Sequence, residues 1–79
     1  MIERYVWEYE VSRYDLLYGE IGERNFVCWL HRGGSGGVAL LWTGYLHVTY
    51  MMEKMNINKA DANNILRFLE GKGHSVGLG

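Results

Sequence analysis

The chain has few of the devices that hold small proteins together. It has one cysteine, Cys28, in 79 residues, which excludes an internal disulfide. No cysteines or histidines have the paired spacing of a structural zinc site. The opening MIERYVWEYE carries charges throughout and lacks the apolar core of a secretory signal, so a reducing cytoplasm is the expected location. The longest nearly uncharged stretch, residues 33–52, holds four glycines in its first five positions and a histidine, and reads poorly as a membrane span. Net charge is only −1, which argues against bulk attraction to nucleic acid.

Aromatic residues, by contrast, are plentiful: six Tyr, three Trp and two Phe. A chain this short buries only about 60% of the surface its unfolded form exposes, so its core is marginal and some large side chains are expected outside. Dense aromatic packing and self-association, a homodimer included, are the stabilisers left. Charge is unevenly placed. Residues 1–25 hold six acids against three arginines, a balance of −3, and residues 26–79 hold five basic groups against three acids, a balance of +2.

Residues 4–12 alternate as a half-buried antiparallel strand, with Tyr5, Trp7, Tyr9 and Val11 on one side and Val6, Glu8, Glu10 and Ser12 on the other. The aromatic stripe could stack bases, but the acidic opposite face marks it as core-facing. Over residues 13–22 the signal degrades: Leu16, Leu17 and Tyr18 could continue a strand or form one helical turn, and Gly19, Gly22 and Asn25 punctuate the stretch as a loop or hairpin connection. Residues 26–31 form an unbroken apolar run, expected as a strand buried on both faces or central in the sheet. Arg32-Gly-Gly-Ser-Gly-Gly37 follows, without the lysine or spacing of a phosphate-binding loop, and a flexible hairpin turn is the favoured account. A third strand spans residues 38–42. Period 2 could carry that strand on through Gly44, Leu46, Val48 and Tyr50, but the favoured account is a helix from about residue 45 to 55 with a stripe of Tyr45, Val48, Met52 and Met55.

The best-specified stretch is residues 58–73. Asn58 is a helix N-cap with Asp61 three residues on, and Ala62, Ile65, Leu66 and Leu69 paint one helical stripe over residues 59–70. Gly71 offers the left-handed residue that ends helices, and residues 74–78 a short edge strand returning to the sheet. Between the helices lies a tight turn with Ile57 tucked inside. The string ILRFLEGKGHSV resembles the end of winged-helix DNA-binding domains, and is similar to the last helix and strand of the ribosomal stalk protein's C-terminal domain and the related protease-adaptor fold. The expected architecture is α+β: an N-terminal meander of three to four antiparallel strands packed against two C-terminal helices. It makes one domain over residues 1–79, with 1–42 mainly β, 43–73 a helical pair and 74–79 a short strand or tail.

No site chemistry stands out. Cys28 and His31 are three apart on a strand and so point to opposite faces, which removes them as a shared metal or nucleophile pair. Glu8 and Glu10 share a strand face, about 7 Å apart by strand rise, but so short a chain rarely builds the concave pocket an enzyme needs. No catalytic residue, metal or cofactor is therefore assigned. The expected activity is that of a non-enzymatic protein-binding module, with no membrane role. In it the acidic face of Glu8, Glu10, Asp15, Glu20 and Glu23, with Tyr14 and Tyr18, steers association with a basic protein surface. An inhibitor of a larger machine, of the anti-CRISPR kind made by phages and mobile elements, fits that description. The alternative is a small helix-turn-helix or winged-helix-like regulator, in which Lys59, Asn63, Asn64 and Arg67 meet nucleic acid. Asp61 and Glu70 on the same helix weigh against it.

Overall fold

The computed structural model describes the backbone of residues 4–11, 14–31 and 37–79 and the side chains of residues 15–30 and 37–79. The architecture is α+β. Strands β1 (Arg4–Val11), β2 (Tyr14–Ile21), β3 (Arg24–His31) and β4 (Gly37–Trp42) form one antiparallel sheet in chain order. There follow β5 (Leu46–His47), helices α1 (Val48–Met55) and α2 (Lys59–Gly71), and β6 (Val76–Gly77). The chain divides into two compact units, Met1–Thr43 and Gly44–Gly79.

In the first unit the meander has four strands, the upper end of the three to four expected. Residues 14–21, where the sequence left strand, helical turn and loop open, are a full strand pairing with a neighbour on either side. Two ladders outweigh the glycine punctuation, and Gly19 stands mid-strand opposite Tyr5 and Phe26. Ile21 pairs with Arg24, so the turn between β2 and β3 consists of Gly22 and Glu23 alone. Gly22 has φ +61° and Glu23 does not enter the left-handed region, the pattern of a type II′ hairpin, which glycine adopts without steric cost. The register of β1 on β2 shifts between Trp7 and Glu10, so the alternation expected over residues 4–12 is interrupted by a bulge. Ser12 and the loop at residues 32–36 lie outside the described residues.

Register also decides the two faces of the sheet. Leu16, Val27, Trp29, Leu40 and Trp42 share one face and are buried. On the other, Leu17, Cys28 and Leu30 are half-buried, Leu41 is 38% exposed, and Phe26 is buried. Strand β3 lies between β2 and β4, the central position its unbroken apolar run predicts.

In the second unit the first helix begins at Val48, three residues later than expected. Leu46 and His47 are drawn instead into a two-stranded parallel sheet with Val76 and Gly77, so the short strand after α2 returns to this pair and not to the meander. The buried positions of α1 are Val48, Met51 and Met55; Met52 is half-buried and Tyr45 is 59% exposed, which corrects the expected stripe. The stripe of α2 holds as expected, with Ala62, Ile65, Leu66 and Leu69 all buried. Each such large aliphatic side chain contributes about 1.5–3 kcal/mol of hydrophobic stabilisation. α2 ends one residue later than expected, and its left-handed residue comes two positions later. Gly71 is helical, and Gly73 (φ +97°) takes the left-handed place, with Gly73 N donating to Glu70 O (3.0 Å) and His74 N to Leu69 O (3.2 Å). That is a Schellman ending, which satisfies carbonyls the helix would leave unpaired.

Candidate functional site

The most defined surface feature is the face of α2 and the turn that aims it. Three residues, Asn56, Ile57 and Asn58, join α1 to α2, and each does a separate job. Asn56 caps α1 in the left-handed conformation (φ 52°, ψ 49°), where asparagine is among the few L-residues tolerated. Ile57 is buried, anchoring the turn. Asn58 has extended backbone and its Oδ1 accepts from Asp61 N at 2.8 Å, the N-cap expected from sequence. At the other end of α1, His47 is the N-cap, its Nδ1 accepting from Thr49 N at 3.1 Å. Sequence reasoning missed this cap, because it placed the helix start at Tyr45 and because histidine is an uncommon capping residue.

With Ala62, Ile65, Leu66 and Leu69 turned inward, the 3.6-residue period turns Lys59, Ala60, Asn63, Asn64 and Arg67 outward. Lys59, Ala60 and Arg67 are exposed, and Asn63 and Asn64 half-buried. Asp61 is 5% exposed, so the acid that weighs against a nucleic-acid role is withdrawn from this surface. Between Lys59 and Leu69 the outward face therefore carries two cations, two amides and no carboxylate; Glu70 stands at its far end. Residues 44–79 hold four basic groups against three acids, a balance of +1, whereas residues 1–43 hold four against six, a balance of −2. Lys54 Nζ sits 5.6 Å over the Tyr50 ring and Lys72 Nζ 5.6 Å over that of Phe68, which steadies both ammonium groups near the helices.

Asn63 is already engaged. Its Nδ2 donates to Gly79 O and its Oδ1 accepts from Gly79 N, both at 3.0 Å. No sequence signal foretells this pair, which joins residues sixteen positions apart.

The acidic residues expected to form one face are distributed over the sheet. Asp15 stands opposite Glu10 and Leu30, while Glu20 stands opposite Arg4 and Asn25. Five positions apart on one strand, Asp15 and Glu20 project from opposite faces and are separated by about 17 Å. Exposed Glu23 lies in the adjoining turn, at the Glu20 end, and half-buried Tyr18 shares the Glu20 face. The side chains of Glu8, Glu10 and Tyr14 lie outside the described residues. Cys28 is half-buried, burial pushes its thiol pKa above the ordinary value, and its Sγ lies 4.0 Å from Trp29 O. Among the described residues no three His, Cys, Asp or Glu side chains converge to hold a metal ion, and no helix is long and apolar enough to cross a membrane. No family model, curated protein or solved structure matches the chain.

Proposed function

We propose that residues 44–79 bind nucleic acid as a helix-turn-helix, with α2 entering the groove. The observation that carries this reading is the turn: a left-handed Asn56, a buried Ile57 and a capping Asn58 join α1 to α2 in a short, defined connection, with an outward face free of carboxylates from Lys59 to Leu69. Such a motif sets its second helix in the major groove, with the N-terminal residues at the base edges. Asn64 is the amide that can pair with adenine, and Lys59 and Arg67 hold phosphate. With two phosphates neutralised, log affinity falls against log salt with a slope of about −1.8. Fluorescence anisotropy of a labelled duplex at low and rising salt tests this. Replacing Lys59 and Arg67 together by alanine should remove most of the salt dependence. A flat anisotropy at low salt would refute the reading.

A second reading, that of a protein-binding inhibitor, draws support from the apolar patch of Leu17, Cys28, Leu30 and Leu41 on one sheet face, with the charges of that face, Asp15 and Arg24, at its ends, since interface cores are depleted of charge. In this reading the scattered acids steer approach rather than form the contact. Charge reversal of Glu8, Glu10 and Glu20 should then slow association with a basic partner while leaving the fold intact. An unchanged association rate would discard it.

A further inference from the structure

We propose that the segment 76–79 is a strap that lies across the reading surface of α2 and must leave before nucleic acid can dock. This rests on the helix-turn-helix reading above. Strand β6 is held to β5 through the pairs Leu46–Val76 and His47–Gly77 and through Leu46 N donating to Ser75 O at 3.0 Å. That pairing delivers Gly79 to the place where the two helices begin. A Cβ on Gly79 would lie 2.8 Å from Val48 Cγ1 and 3.0 Å from Lys59 Cε, and its backbone holds both polar atoms of the Asn63 amide. Gly79 thus touches the first residue of α1, the first residue of α2 and the residue one turn further on.

In a helix-turn-helix the first turns of the second helix meet base edges while the first helix crosses the backbone. Strap and duplex therefore compete for the same ground. The competition is also chemical. An asparagine reads adenine by giving its NH₂ and its carbonyl together, and Asn63 has given both to Gly79. The two hydrogen bonds are exposed, so water can replace them when the segment lifts. A side chain at position 79 would crowd the docked state. Lys59 can swing its flexible end aside, but the β-branched Val48 cannot turn away from an added methyl without leaving its preferred rotamer.

Gly79→Ala in the full chain tests the strap. Binding to a labelled duplex at low salt is expected to tighten about tenfold, because the parent's apparent affinity is its intrinsic affinity multiplied by the fraction of molecules that are unstrapped. The Asn63 side-chain amide resonances should move to solvent-exposed values while the far-ultraviolet circular dichroism of the helices stays the same. A second variant lacking Leu78 and Gly79 should bind as tightly as Gly79→Ala. If both variants bind the duplex no better than the parent chain, the strap is overturned and the helix-turn-helix reading stands. If neither parent nor variants bind duplex at all, that reading fails and takes the strap with it.

Discussion

Asn56 offers the sharpest test of how the helix pair is set. Its φ of 52° and ψ of 49° lie in the left-handed region, where an ordinary L-residue is strained by about 1–2 kcal/mol. Asparagine bears less of that cost than alanine, and a β-branched residue bears the most. Asn56→Ala should therefore destabilise residues 44–79 by about 1 kcal/mol, and Asn56→Val by about 2. Asn56→Gly should stay within about 0.5 kcal/mol of the parent, since relief of strain is offset by greater freedom in the unfolded chain. The measurement is urea unfolding. Both helices lie in residues 44–79, so far-ultraviolet circular dichroism follows that unit. Trp7, Trp29 and Trp42 all lie in residues 1–43, so tryptophan fluorescence follows the other. With a slope of about 1 kcal/mol per molar urea, the alanine variant's dichroism midpoint should fall by roughly 1 M while its fluorescence midpoint holds. Equal midpoints for Asn, Ala and Val would show that the turn is not held in the left-handed conformation, and the aim of α2 would lose its explanation.

Other substitutions probe the remaining joints. Asn58→Ala removes the 2.8 Å acceptor of Asp61 N and should cost about 1 kcal/mol in the same dichroism assay. Ile65→Ala leaves a cavity beneath α2 and should cost about 2–5 kcal/mol. Gly37→Ala would press a methyl against Leu30 Cδ2 and to within 2.5 Å of Trp29 O, a backbone atom that cannot step aside, so the fluorescence midpoint should fall while the dichroism midpoint holds. Cys28 should react with thiol reagents more slowly than a free thiol at the same mildly alkaline pH, because burial keeps it protonated. With the folded pKa raised, the unfolded chain gives up this proton first. The first unit should therefore weaken as pH rises past the ordinary thiol value, and a Cys28→Ser variant should lack that decline.

Sequence alone determined the elements whose signals are local. The apolar spacing and Asn58 cap defined α2, the buried Ile57 followed from a turn too short to place it elsewhere, and the unbroken run at 26–31 announced a central strand. Tertiary structure decided whatever depended on partners distant in the chain. Residues 14–21 became a strand because ladders on both sides outweighed their glycines, and Leu46–His47 became one because Val76–Gly77 came back to meet it. The same holds at the surface of α2. Asp61 reads from the sequence as a charge set against nucleic acid, yet packing turns it inward, and Asn63 reads as a free amide until Gly79 arrives to occupy it. Periodicity along a helix says which residues share a face; only the packed chain says what that face is left to touch.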